Sequence, residues 1–251
     1  MDTRPLGHGG PLLSPIGFGA FKIGRNEKTK YGRHYELPDE DQAARLLHAV
    51  LDLGINYIDT APAYGLSEAR IGRAIGYRKR EFLISTKVGE TFAGGASTYD
   101  FSRAAVETSV THSRQALGVD VLDLVFIHSP GDDLHVLNHT DAVETLMRLR
   151  DAGAIARIGL SAKSPVGVLA SLAWADAVMV EYHLHDRSHE QAIAAASEAG
   201  LGIVVKKGLA AGALQAAEAI RFVLANPAVA TMVVGTLSAD HLAENLRACG
   251  G

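Results

Sequence analysis

The chain has 251 residues, of which 47% are hydrophobic and 21% charged, and carries a formal net charge of −4 at pH 7. This length and mixture suit one globular domain the size of a closed α/β barrel and exclude disordered, fibrous and collagen-like classes. With no long basic run, no apolar run of about 20 residues and one cysteine, Cys249, nothing favours a nucleic-acid partner, a membrane span or a disulfide framework.

The opening Met1-Asp2-Thr3-Arg4-Pro5 lacks the apolar continuation of a secretory leader, so a cytoplasmic location is expected. Pro5-Leu6-Gly7 and Leu12-Leu13-Ser14 flank Gly9-Gly10, a dipeptide suited to a tight turn, which predicts a two-stranded ribbon ahead of the main fold. From there, short β-branched runs predict strands near 16–19, 57–59, 83–87, 122–127, 155–160, 177–181, 202–206 and 231–235. Apolar residues at helical spacing, such as Leu46, Leu47, Val50 and Leu51, predict helices over 39–53, 67–76, 101–117, 139–152, 165–173, 188–199, 215–225 and 238–248. Each strand precedes one helix, so residues 1–251 read as a single (β/α)₈ barrel domain with a parallel sheet. Ser67, Ser102, Thr140, Ser188 and Ser238 stand where helix N-caps are needed. Gly54, Gly118, Gly153 and Gly200 stand where a left-handed C-terminal turn is needed. The connection from Lys22 to Pro38, rich in Lys, Arg and Tyr, is long for a compact domain and leaves the barrel's C-terminal face.

Barrel enzymes carry their chemistry at that face. Asp59 ends the second strand, Lys87 the third and His128 the fourth, with Tyr64 in the loop after Asp59. Reducing a carbonyl by hydride delivery needs a proton donor for the developing alkoxide, and a phenol is a poor acid at neutral pH unless a neighbour stabilises its anion. Lys87 would supply that charge, Asp59 would keep Lys87 charged and oriented, and His128 would donate a hydrogen bond to the substrate oxygen. Singly, each has a structural explanation as a cap, a core residue or an ion pair; folding alone does not require all four at one mouth.

GFGAFKIG, INYIDTAPAYG, ISTKVG, LDLVFIHSP and IARIGLSAK, in this order and spacing, resemble the aldo-keto reductase superfamily over nearly the whole chain. The resemblance implies a (β/α)₈ barrel, carbonyl reduction or its reverse, and a catalytic tetrad at Asp59, Tyr64, Lys87 and His128. It implies NADPH as cofactor, with NADH as the alternative, lying near Gly19, Ala20 and Phe21, with Ser161 on the nicotinamide carboxamide. Ala162 replaces the family's usual asparagine there, and Met179 falls where a glutamine is usual, although a thioether is only a weak acceptor. Lys206 replaces the aromatic residue that often stacks on the nicotinamide, so Lys206 or Lys207 is expected at the pyrophosphate, with Gly208, Leu209 and the loop to Gly212 offering backbone amides. VVGTLSADHLAEN resembles the adenosine-phosphate segment and retains Thr236, Glu244 and Asn245, while Gly235 and His241 stand where a lysine and an arginine are common.

His183, His185 and His189 raise a metal site, but no acid accompanies them in a regular ligand spacing, and they read as loop or pocket-lining residues; no metal is expected. The expected partner is a small carbonyl compound in a pocket shaped by 22–38, by 129–138 and by the loop after Lys207, with Tyr31, Tyr35 and Trp174 as nearby aromatics and Trp174 read as packing. Two other readings stand beside the reductase: a cofactor-binding sensor on the same fold, and a lyase using Lys87 as a Schiff base.

Overall fold

Strand residues alternate between two apolar environments, and that alternation closes the sheet. Leu124 and Phe126 pack with Tyr57, Ala177, Met179, Val204 and Ala230 inside the barrel, while Val125 and Ile127 join the larger core between sheet and helices. A period of two with both faces apolar is what a parallel sheet covered by helices requires.

The structure, a computed structural model, describes residues 2–29 and 35–250. Its strands are β1 (Arg4–Pro5), β2 (Leu12–Leu13), β3 (Ile16–Gly19), β4 (Tyr57–Asp59), β5 (Leu83–Val88), β6 (Glu90–Ala93), β7 (Ala96–Tyr99), β8 (Leu124–His128), β9 (Ile158–Ser161), β10 (Ala177–Glu181), β11 (Gly202–Lys206) and β12 (Val229–Val234). Its helices are α1 (Glu40–Asp52), α2 (Ser67–Ile75), α3 (Arg103–Leu117), α4 (Asp133–His139), α5 (Ala142–Asp151), α6 (Pro165–Ser171), α7 (Glu190–Glu198), α8 (Ala216–Ala225) and α9 (Ala239–Ala248). β3, β4, β5, β8, β9, β10, β11 and β12 pair in that order, all parallel, and β12 closes on β3. The expected (β/α)₈ barrel is therefore present, as is the ribbon: β1 pairs antiparallel with β2, and Leu6 and Leu13 pack into the barrel's interior cluster.

Large interior side chains need small neighbours. A Cβ on Gly17 would lie 2.6 Å from a ring carbon of Tyr57, and one on Gly159 would lie 2.9 Å from the ring of Phe126. Tyr57 in turn donates to Ser85 Oγ at 2.7 Å, and Ser85 donates to Asp59 Oδ1 at 2.7 Å, so a buried hydrogen-bond chain leads up to the open end.

Ser102 and Ser238 cap their helices, accepting from Ala105 N and His241 N. The other three expected caps do not. Ser67 lies inside α2, where its hydroxyl donates to Ala20 O at 3.0 Å; Thr140 ends α4; Ser188 precedes His189, which is the residue before α7. All four expected turn glycines, Gly54, Gly118, Gly153 and Gly200, have positive φ. Two elements go beyond the sequence reading: the hairpin β6–β7 follows the third barrel strand, and α4 stands in the connection ahead of α5, the helix predicted over 139–152.

Candidate active site

The same alternation that fills the barrel aims its last residues into a cavity of about 480 Å³ at the C-terminal end. Asp59, Lys87 and His128 reach it from the ends of β4, β5 and β8, and Tyr64 from the 3₁₀ turn Pro62–Tyr64. Lys87 Nζ lies 2.7 Å from both carboxylate oxygens of Asp59 and 2.7 Å from Thr60 O. Lys87 is 2% exposed, so this is a desolvated pair. Burial pushes the Lys87 pKa down and Asp59 pulls it back, the compensation a buried ammonium needs. Lys87 Nζ stands 4.8 Å from the Tyr64 ring centre, while Phe21 and His128 flank that ring edge-on at 5.0 and 6.3 Å. The four expected residues are thus together around one space.

The hairpin β6–β7 forms a wall of that space through Glu90, Phe92, Gly95, Ser97 and Tyr99. Glu90 Oε2 lies 2.8 Å from His128 Nδ1, and Glu90 Oε1 accepts from Ser97 Oγ at 2.6 Å. Burial alone would raise the Glu90 carboxyl, but His128 and Ser97 more than offset it and hold it at about 2. Burial, reinforced by Lys87 and Lys206, lowers His128 to about 4 against the contrary pull of Glu90, so at neutral pH the imidazole is neutral and the carboxylate charged. Arg25 ties the hairpin to the tyrosine turn: its guanidinium stacks 3.3 Å from the Phe92 ring centre and donates to Ala63 O at 3.0 Å.

On another wall stand Ser161 and Lys206 from the ends of β9 and β11 and Met179 from the middle of β10, with Lys207, Gly208 and Leu209 beyond them. Lys206 Nζ donates to Ser161 Oγ at 2.7 Å and to Ala162 O at 2.9 Å, so its amine turns to the end of β9. Burial, with Lys163, Lys87 and Lys207 nearby, drives its pKa well below the usual lysine value, although part of the residue's surface opens on the cavity. Lys207 forms a close ion pair with Glu181. Lys207, Ala210 and Ala211 all have φ between 46° and 57°, a left-handed backbone costing non-glycine residues about 1–2 kcal/mol each. Strain of this kind clusters where backbone must meet a ligand.

These features fit a nicotinamide dinucleotide. Lys22, Arg25, Lys28, Lys163, Lys206 and Lys207 line the cavity of an otherwise acidic protein, a field that attracts a polyanion. Ser161 and Lys206 offer polar atoms to an amide. Of the expected cofactor residues, Gly19, Phe21, Ser161, Met179, Lys206, Lys207, Gly208, Leu209 and Gly235 line the cavity. Ala20, Thr236, His241, Glu244 and Asn245 do not: Ala20 is buried behind the wall, and the other four lie at the start of α9 and along it.

Tyr31 lies outside the described residues, and Tyr35 donates its hydroxyl to Arg25 O. Trp174 packs against the outer core, as expected. His183 does acquire acidic neighbours: ligand atoms of Glu181, His183 and Asp186 fall within 4.8 Å of one another, but the Lys207 ammonium already sits on Glu181. Glu90 is the residue the sequence reading missed. Its signal was Gly94-Gly95 between ETFA and ASTY, a two-residue hairpin pattern with φ positive at both glycines.

The family model described as Aldo/keto reductase family matches residues 15–219. A solved aldo-keto reductase structure from Pseudomonas aeruginosa superposes with a TM-score of 0.90 at 40% identity, covering 98% of this chain and 94% of its own. The oxidoreductase YqkF of Bacillus subtilis (strain 168) is 25% identical, aligned over 99% of this chain and 91% of its length. The D-threo-aldose 1-dehydrogenase of a Pseudomonas species is 30% identical over 63% of this chain, and the match spans only 53% of that protein. With the barrel, the ordered motifs and these matches in agreement, the chain belongs to the aldo/keto reductase family of oxidoreductases.

Proposed function

We propose that this protein is a nicotinamide-dependent reductase of small aldehydes or ketones, or their dehydrogenase in reverse, with Tyr64 as the proton donor. One observation carries the reading: an ammonium clamped on a buried carboxylate, Lys87 on Asp59, stands 4.8 Å from the centre of a phenol ring in a basic cavity. When bound, the nicotinamide supplies or accepts the hydride. The residues do the rest. Lys87 lowers the cost of leaving negative charge on the Tyr64 oxygen, so the phenol can pass its proton to the nascent alkoxide. Asp59 and Thr60 O fix Lys87 in place and keep it charged. With the cofactor bound, Ser161 and Lys206 would hold the carboxamide end in place of the asparagine and glutamine of other members, and Lys163 and the loop after Lys207 would hold the phosphates.

Cofactor oxidation measured with NADPH and with NADH against a panel of aldehydes, ketones and aldoses tests this. Turnover with at least one carbonyl, faster with NADPH, is the expected result. Tight cofactor binding without turnover on the whole panel would favour a sensor on this fold instead.

A further inference from the structure

We propose that Arg25 is a specificity-determining residue that receives an anionic group of the substrate, so that the protein prefers carbonyl compounds carrying a carboxylate or a phosphate. This names the substrate class of the reductase reading above and rests on it.

The cations of the cavity fall into two groups. Lys163, Lys206 and Lys207 lie just beyond β9 or at the end of β11, on the wall assigned to the cofactor. Lys22, Arg25 and Lys28 belong to the connection after β3, and Arg25 stands between the Tyr64 turn and the β6–β7 hairpin. That hairpin follows β5, which is four strands from β11 around the closed barrel. A cofactor held at β9 and β11 leaves Arg25 to the molecule that meets Tyr64.

The segment carrying Arg25 is locked beside that residue. A Cβ on Gly24 would lie 2.0 Å from Tyr64 O, and Leu66 N donates to Gly24 O at 3.1 Å. The Arg25 guanidinium stacks 3.3 Å from the Phe92 ring centre and 5.3 Å from that of Phe21, the ring that packs on Tyr64. Its protein acceptors are all neutral carbonyls: Ala63 O at 3.0 Å from Nη1, Glu27 O at 2.9 Å from Nε and Lys28 O at 3.5 Å from Nη2. Of the five N–H groups of a guanidinium, these leave one on Nη1 and one on Nη2, a pair suited to bidentate capture of a carboxylate or phosphate. Among the described residues Arg25 makes no ion pair. Glu90 and Glu27 act to raise its pKa, but burial lowers it by more, so its charge is not compensated from within the protein. A partly desolvated cation without a contacting carboxylate is costly until a ligand completes it. Lys22 and Lys28 line the same cavity, and Asp59 is already neutralised by Lys87, so Glu90 is outnumbered and the field there favours an anion.

The test is a pair of kcat/KM ratios at saturating NADPH and low salt: succinic semialdehyde over its methyl ester, and glyceraldehyde 3-phosphate over glyceraldehyde. At least one should be about tenfold or more in the native protein, and the larger shows which anion fits. It should fall to about threefold or less in Arg25→Met and be partly kept in Arg25→Lys. A general loss from loosening the hairpin lowers both members of a pair, so it does not imitate this effect. Without any variant, the matching unreactive anion, succinate or glycerol 3-phosphate, should compete with the neutral aldehyde. Both ratios near one, with the neutral aldehydes turned over, would overturn the anion site and leave the reductase reading standing. An unchanged ratio in a folded Arg25→Met, with the NADPH Kd raised instead, would assign the arginine to the cofactor and overturn it equally. Turnover of none of the aldehydes would overturn the reductase reading itself, and the substrate site with it.

Discussion

Asp59 is the residue on which the site's electrostatics turn. Its carboxylate meets both Lys87 and the Ser85 hydroxyl, and removing it leaves an ammonium buried at 2% exposure without a counter-charge. Asp59→Ala should therefore cost about 3–5 kcal/mol, read as a fall in Tm of roughly 6–20 °C. Asp59→Ala combined with Lys87→Met should recover most of the stability and none of the activity; a double variant as unstable as the single one would show that the charge was not the cause. His128 gives a pH signature. Its folded pKa of about 4 lies below the ordinary 6.5, so between these values the unfolded chain takes up a proton that the folded one refuses. Stability is expected to fall as pH is lowered from about 6.5 towards about 4, and denaturant titrations should show part of that slope disappearing in His128→Asn.

At the scale of the element, the β6–β7 hairpin connects two parts of the site through Glu90 on His128 and through Phe92, Arg25 and Ala63 O next to Tyr64. Its turn needs positive φ at Gly94 and Gly95. Gly95→Pro cannot meet that demand. Because the hairpin lies outside the barrel ladder, the variant should keep its far-ultraviolet circular dichroism and lose about tenfold or more in kcat/KM; full activity would dissociate the hairpin from catalysis. This element also marks the limit of what the sequence reveals. The eight barrel strands were legible because apolar alternation and flanking glycines repeat along the chain, and Asp59, Tyr64, Lys87 and His128 because they occupy strand ends and one loop in a known order. The hairpin's turn was written in Gly94-Gly95, but not that Glu90 faces His128, which depends on where barrel closure places the end of β8. Likewise, nothing local separates a lysine aimed at a phosphate from one turned inward on Ser161, so the position of Lys206 emerged only with the barrel closed. Helix α4, seven residues long, was too short to show a period of its own.

For the whole molecule, the two ends of the barrel have separate duties. The closed end is filled by Leu6 and Leu13 of the ribbon packed on Tyr57, Leu124 and Phe126. Leu13→Ala should cost about 2–5 kcal/mol with cofactor affinity unchanged, as judged by denaturation and fluorescence titration. At the open end, a basic cavity in a protein of net charge −4 makes cofactor capture electrostatic, and NADPH affinity should weaken several-fold between low and high salt. The proposed mechanism turns on one chemical event, the transfer of a proton from Tyr64 beside the Lys87–Asp59 pair. The most direct measurement is single-turnover oxidation of bound NADPH by a carbonyl substrate in the native protein and in Tyr64→Phe, with the NADPH Kd determined for each. The account predicts a rate lower by about 10²–10⁴-fold at an unchanged Kd. An undiminished rate in Tyr64→Phe would contradict it.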